Sequence, residues 1–232
     1  METLYEGKAK ILYKTDDPDV LIAKFKNDLT AFDGTKHGTM ASKGEINAKI
    51  SSVIMKYLAS HGVPNHFIEL VPPDSHKVKS CKILPIEVII RNYLAGSICK
   101  RFGLEEGKKL DEPLIEFCYK NDELHDPFIC KNHAILFGWA TPAQLARIEE
   151  LAFSINMHMT NFWKEVGLTL VDFKLEFGLH KGEVILADEW TPDTCRLWDV
   201  KTGEKMDKDR FRRDLGGVLE AYEEVARRIT GA

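Results

Sequence analysis

Several features that would place a chain outside the cell, in a membrane or on nucleic acid are missing here. The five cysteines (Cys81, Cys99, Cys118, Cys130, Cys195) are odd in number and scattered, with no Cys-x-x-Cys pair. That pattern excludes a disulfide framework or a zinc site and fits reduced thiols. Lys and Arg total 32 against 36 Asp and Glu, a formal charge of −4, so there is no basic footprint for nucleic acid. No run approaches the roughly 18 apolar residues of a membrane helix, and the opening METLYEGKAK carries no apolar signal-peptide core. Walker loops, internal repeats and low-complexity tracts are also lacking. What remains is 232 residues of ordinary apolar content, enough for one large domain or two small lobes, with the cytoplasm as the expected compartment.

The most informative stretch that is present is Leu170 to Gly178, LVDFKLEFG, followed by the acid pair Asp188-Glu189. Val171, Phe173, Leu175 and Phe177 alternate with Asp172, Lys174 and Glu176, the period of a strand with one face in a core. Residues on one face lie about 7 Å apart, so two carboxylates flank one ammonium along a line. A turn at Leu179 to Gly182 leads into a second strand, Glu183 to Asp188. A three-residue loop ending at Gly182 sets Lys174 opposite Asp188 and puts Asp188 on the charged face; a two-residue loop shifts parity and sends it to the other. By spacing alone the face is equally a solvated hairpin with cross-strand ion pairs. Its chemistry favours a second reading, in which two carboxylates from neighbouring strands hold Mg²⁺ beside a substrate phosphate and the lysine meets an anion.

The remainder divides into recognisable elements. Leu4 to Tyr13 reads as strand, glycine-lysine turn and strand, with Gly7, Lys8 and Lys10 available to phosphate, and a third strand lies near Val20 to Lys26. Asn27 to Thr39 reads as a polar loop carrying Asp28, Asp33 and His37. Ser42 and Glu45 form a capping box that opens a helix with Ile46, Ile50, Val53, Ile54, Tyr57 and Leu58 inward, ended by Gly62 and Pro64. Lys43 at its start runs against the helix dipole, which fits an anion nearby and equally a flexible, solvated lysine. Strands follow at His66 to Val71 and Lys77 to Ile83, then LPIEVIIRNYLAGS at Leu84 to Ser97. There Arg91 is fit for bidentate contact, and Ser97 opens a short helix. Leu104 to Pro127 reads as charged and turn-rich, with Lys120, His125 and Asp126 near its end. A long helix runs from the Thr141 cap to about Val166. Trp190 to Asp199 reads as a loop containing Arg196, and a last helix starts near Asp207 with Phe211, Leu215, Val218, Leu219, Tyr222, Val225 and Ile229 inward.

Seven stretches together carry a likeness: LYEGKAK at Leu4, SKGEIN at Ser42, LPIEVIIRNYLAGS at Leu84, HDP at His125, LVDFKLEFG at Leu170, DEWTPDTCRLWD at Asp188 and MDKDRFRRDLGG at Met206. The chain resembles the compact, single-function bacterial SAICAR synthetases from end to end. No key residue is missing, and Trp190 stands where the family commonly has another residue. The resemblance implies an α+β fold of two lobes similar to the nucleotide-binding lobes of protein kinases. These would be a β-rich, ATP-binding lobe at 1–83 and a mixed α+β lobe at 84–232 with the metal and ribonucleotide sites. It also implies ATP-dependent joining of L-aspartate to the carboxylate of a carboxyaminoimidazole ribonucleotide, a need for Mg²⁺, and a homodimer.

By the same likeness Glu176 and Asp188 hold Mg²⁺, while Gly7, Lys8 and Lys10 meet ATP phosphates. The segment from Lys79 to Glu87 is the adenine hinge. Arg91, Ser97 and Arg196 take the ribonucleotide, with Lys174 and Asp172 near the reacting carboxylate. Asp33, Lys43, Lys120, His125 and Asp126 fall on the substrate side. Two other readings share these residues: a kinase-like phosphotransferase acting on another small molecule, and a nucleotide-binding module without chemistry.

Overall fold

A computed structural model describes residues 2–31 and 35–231; the expected site residue Asp33 therefore lies outside the described residues. The chain opens with β1 (Thr3–Glu6), β2 (Lys10–Lys14) and β3 (Val20–Phe25), the first two joined by the expected tight turn. The stretch expected to be a loop is instead a hairpin, β4 (Asp28–Ala31) paired with β5 (Lys36–Thr39). Helix α1 (Lys43–Ser60) begins where expected but without the expected cap. Ser42 is left-handed (φ 63°) and its side chain caps nothing; Asn27 Oδ1 accepts the Gly44 amide at 2.9 Å instead. Gly44 has to be glycine, because a Cβ there would lie 2.6 Å from the Phe25 carbonyl oxygen.

Next come β6 (Phe67–Val71) and β7 (Ser75–Lys79), which complete an antiparallel sheet ordered β1-β2-β3-β7-β6. The strand expected through Ile83 stops at Lys79. A new strand, β8 (Lys82–Tyr93), starts three residues later in a different sheet, so Ser80 and Cys81 are the step between the two. A six-residue α2 (Ser97–Phe102) follows, then β9 (Lys109–Tyr119) and β10 (Phe128–Ile129). The β9 strand corrects the turn-rich reading of that region. Its first half is exposed and carries charge and Pro113 near the sheet edge, so it shows no clean alternation. Two helices come next: α3 (Lys131–Leu136) and the long α4 (Pro142–Glu165). The latter starts with the capping box Thr141 and Gln144 and stops at Gly167, as its sequence signals require.

The centre of the second sheet is β11 (Leu168–His180). One edge pairs with β8; the other pairs first with β13 (Cys195–Asp199) and then with β12 (Glu183–Ala187). The expected loop from Trp190 to Asp199 is therefore half strand. The last expected helix is two, α5 (Asp209–Arg212) and α6 (Val218–Thr230), separated by Gly216 and Gly217, both left-handed. Leu215, expected to point inward, sits in that break and is 51% exposed, whereas Tyr222 and Val225 are fully buried.

The two faces of the β8–β11 pair divide the work of the fold. Ile86, Val88, Ile90, Phe173, Leu175 and Phe177 are buried in one cluster with Ile148, Ile155 and Trp163 of α4 and Ile54 and Leu58 of α1. Fully burying each such side chain contributes about 1.5–3 kcal/mol, the gain that carries the cost of a charged opposite face. That face bears Glu87 opposite Glu176 and Arg91 opposite Asp172. It is not a solvated hairpin surface: Arg91, Asp172 and Glu176 are all buried.

Candidate active site

The site forms where β11 changes partners. β13 pairs with it as far as Phe173 and β12 from Glu176 onward. Between them the Lys174 amide donates to the Thr194 carbonyl at 2.8 Å. The segment 188–194 loops out of this gap and carries Asp188, Glu189, Asp193 and Thr194 into a cleft of about 660 Å³. Of the two loop lengths the sequence allows, the shorter forms. His180 pairs with Glu183, so the turn has two residues, Lys181 and Gly182, both at positive φ. Strand parity would then send Asp188 to the core side, but Asp188 is itself left-handed (φ 60°), and its carboxylate lies 3.4 Å from Lys174 Nζ. The expected convergence is reached through a backbone turn, not through register.

Around Lys174 the charges interlock. Its ammonium contacts Glu176 Oε1 and lies 3.2 Å from Glu87 Oε1. Lys120 Nζ is 2.7 Å from the same Glu176 oxygen, and Lys10 contacts both Asp188 and Glu189. Burial works against the charged form of Lys174, but Glu176, Asp188 and Glu87 outweigh it and hold its pKa well above the lysine value. Burial likewise opposes ionised Asp188, and Lys10, Lys174 and a hydrogen bond from Glu189 overcome it, holding Asp188 well below the carboxylate range. Glu189 absorbs the difference: burial and the neighbouring Asp188 charge push it up to about 7. His66, which also lines the cleft, is kept neutral, lowered to about 3 by burial and by Lys10.

A second cavity of about 160 Å³ adjoins the first and is lined by Arg91, Ser97, Asp172 and Arg196. Arg91 Nη1 donates to Asp172 at 2.8 Å, its Nε to Glu116 at 2.6 Å, and its Nη2 to Ser97 Oγ at 3.0 Å. Arg196 Nη1 donates to Asp172 Oδ2 at 2.9 Å, and its Nε to Asp209 at 3.0 Å. Gly96 (φ 67°) admits the Arg196 guanidinium, since any Cβ would occupy the same space. Behind this pair Asp207 is fully buried and accepts the Leu197 and Asp209 amides at 2.8 and 2.7 Å.

Burial, with Asp209 as a second cause, raises Asp207 to about 7. An acid raised in the folded state binds a proton that the unfolded chain has released between about pH 4 and 7, so its contribution falls as pH rises through that window. Asp207→Asn should therefore flatten the pH dependence of urea-unfolding stability over that window by up to about 1.4 kcal/mol per pH unit. An unchanged slope would contradict the assignment.

Most of the residues singled out from sequence meet here. Gly7, Lys8, Lys10, Lys43 and Lys79 line the large cleft from the first sheet and α1, and Glu87, Lys120, Asp126, Lys174, Glu176 and Asp188 line it from the second sheet. Lys8 reaches across the mouth to Asp122 at 2.7 Å. His125 lines neither cavity; it and Asp126 are consecutive left-handed residues, and Asp126 accepts the Asn121 amide at 2.8 Å. Sequence reasoning missed Asp193, Thr194, Lys208 and Arg212. The last two are four apart at the start of the expected last helix, where only the apolar positions were read as facing inward.

A cleft lined by interlocking lysines and carboxylates, joined to a smaller arginine-lined cavity, has the charge to take anionic ligands. The family model for SAICAR synthetase matches residues 3–229. The phosphoribosylaminoimidazole-succinocarboxamide synthase of Magnetococcus marinus is 53% identical over 231 residues, covering 98% of this chain and 96% of that protein. Its counterpart from Ehrlichia chaffeensis has a crystal structure matching with TM-score 0.97 at 46% identity, covering 100% and 99% of the two chains. A SAICAR synthetase solved in complex with ADP matches with TM-score 0.96 at 47% identity, covering 100% and 98%. The chain belongs to the SAICAR synthetase family. It is an ATP-dependent carbon–nitrogen ligase of purine biosynthesis that joins L-aspartate to the carboxylate of the carboxyaminoimidazole ribonucleotide.

Proposed function

We propose that the large cleft binds ATP and the small cavity the ribonucleotide, with the reaction at Lys174, where they meet. The observation that carries this reading is that Lys174 lines both cavities. An amide cannot form from a free carboxylate and an amine at neutral pH without a leaving group on the acyl carbon. Transfer of the γ-phosphoryl group of ATP to a carboxylate oxygen supplies one, and the aspartate amine then displaces phosphate. Such transfer rests on positioning and charge neutralisation. In this reading Gly7, Lys8 and Lys10 face the ATP phosphates, and the step from Lys79 to Glu87 borders the adenine. Arg91, Ser97 and Arg196 hold the ribonucleotide and its phosphate, while Asp172 orients both arginines and Lys174 faces the acyl oxygen. The ADP held by the 47%-identical relative supports the nucleotide assignment.

The donor set fits Mg²⁺. Glu176 and Asp188 share one ammonium, and no group of three or more His, Cys, Asp or Glu gathers closely enough for a metal among the described residues. Mg²⁺ typically takes one or two carboxylates and completes its shell with phosphate and water. When bound, it would neutralise charge on the transferring phosphoryl group. Lys43, Lys120, His125, Asp126 and Asp33 are assigned to the substrate side. The proposed division into lobes at 1–83 and 84–232, similar to the lobes of protein kinases, falls two residues inside β8; the change of sheet at Ser80 and Cys81 supports a boundary just before it. A homodimer in the cytoplasm completes the proposal. Among the described residues no helix is long and apolar enough to cross a membrane.

The test is ADP release from purified protein with ATP, Mg²⁺ and the carboxyaminoimidazole ribonucleotide, with and without L-aspartate. Release that requires aspartate and yields the succinocarboxamide is expected. Equal release without aspartate would indicate a phosphotransferase.

A further inference from the structure

Lys43 is only 2% exposed, yet it lines the cleft. Its ammonium lies 2.5 Å from Asp193 Oδ2, which also accepts Asn47 Nδ2 at 3.0 Å. The other Asp193 oxygen accepts the Tyr222 hydroxyl at 2.7 Å and has Lys208 Nζ 3.9 Å away. Tyr222 belongs to α6, is fully buried and lines neither cavity. Asp193 lines both. One carboxylate at the junction of the cavities thus takes a phenol and an amide from residues outside both, and two lysines of the large cleft lie against it.

The balance of charge there calls for a further anion. Burial would raise Asp193, but Lys43 and Lys208 outweigh it and hold it well below the carboxylate range. Lys208 is lowered by burial, with Arg212 and Lys43 adding to the effect against Asp193 and, less strongly, Glu189. A crowded, buried lysine gains from a further carboxylate in contact with it. The ATP-side lysines Lys10 and Lys174 are matched by carboxylates, and the arginines of the small cavity are matched by Asp172 and Asp209. The third substrate carries two carboxylates, and its amine has to reach an acyl carbon between the other two.

We propose that Tyr222 is a positioning residue for L-aspartate: by donating to Asp193 it fixes the carboxylate that aims Lys43 and Lys208 at the junction, where they receive a carboxylate of that substrate. This rests on the assignment of Lys43 to the substrate side. Burial and the Asp193 charge hold the phenol pKa well above its ordinary value, so Tyr222 stays a donor at all working pH values. Phenylalanine keeps the ring and its packing and removes only the aim.

The test measures initial rates against each of the three substrates, together with melting temperature, for Tyr222→Phe, Lys43→Met and the double variant. Tyr222→Phe should raise the KM for L-aspartate about tenfold, the size of a lost hydrogen bond to a charged group, and change the KM for ATP and ribonucleotide less than about twofold. Lys43→Met should raise the aspartate KM further, and the double variant should raise it by less than the product of the two single effects, because both act through the Asp193 carboxylate. If Lys43→Met raises the aspartate KM and Tyr222→Phe does not, the positioning role is overturned and the seat stands. An aspartate KM untouched by Lys43→Met overturns the seat itself. A parallel rise in all three KM values with a lower melting temperature makes Tyr222 merely structural.

Discussion

Asp188→Asn is expected to lower kcat by about 10²–10³-fold while leaving the fold nearly intact. The substitution is chosen for the backbone. Asp188 sits at φ 60°, and asparagine is among the few residues that adopt this region readily, so the turn that brings the side chain back to Lys174 is kept. Each neighbouring lysine also retains a carboxylate: Lys10 keeps Glu189, and Lys174 keeps Glu176 and Glu87. What is lost is one full negative charge beside two ammoniums and, with Mg²⁺ bound, half of its proposed carboxylate pair. The measurement is kcat at saturating ATP, ribonucleotide, L-aspartate and Mg²⁺, with a melting curve on the same preparation. A turnover near that of the parent would refute the metal and phosphate role of Asp188. A melting temperature lowered by more than about 10 °C would mean that the charge serves the fold first.

Asp188 also marks the limit of what the amino-acid sequence discloses. The alternation from Val171 to Phe177 is a local property, and the strand, its buried face and its charged face all follow from it. The hairpin turn depends on the difference between two and three residues, which the sequence leaves open, and the two-residue turn that forms is the one whose parity alone would have sent Asp188 to the other face. No pattern announces that a single aspartate will turn left-handed and undo the parity of its strand. β9 was hidden for a different reason: half of it faces water with charge and Pro113, and pairing with β8, joined at its far end by β10, stabilises it as a strand. The cap at Ser42 failed because a tertiary partner, Asn27, took over the job that the capping box describes. Lys208 and Arg212 escaped because two glycines cut a short helix from a long one, and a run of Arg and Glu resembles a solvated face until the fold turns it toward a cleft.

Arg91→Lys should prove far from conservative, lowering the melting temperature by on the order of 10 °C and raising the KM for the ribonucleotide at least about tenfold. Arg91 is 2% exposed, and its guanidinium makes contacts in three directions: Glu116, Asp172 and Ser97. A lysine ammonium is a single point on a shorter stem. It can reach one of the two carboxylates, leaving the other buried and short of a partner, at a cost of about 3–5 kcal/mol where nothing relaxes and less where Arg196 and Arg101 compensate. The kinetic effect follows from the same geometry. Asp172 is held between Arg91 and Arg196, and Ser97 is fixed by the Arg91 donor, so the loss of one guanidinium loosens the whole lining of the small cavity. The KM for ATP should change much less, because Arg91 does not line the large cleft. A variant with parent-like stability and a raised ribonucleotide KM would assign Arg91 to the ligand alone. Lower stability with an unchanged ribonucleotide KM would assign it to the sheet and remove it from the site.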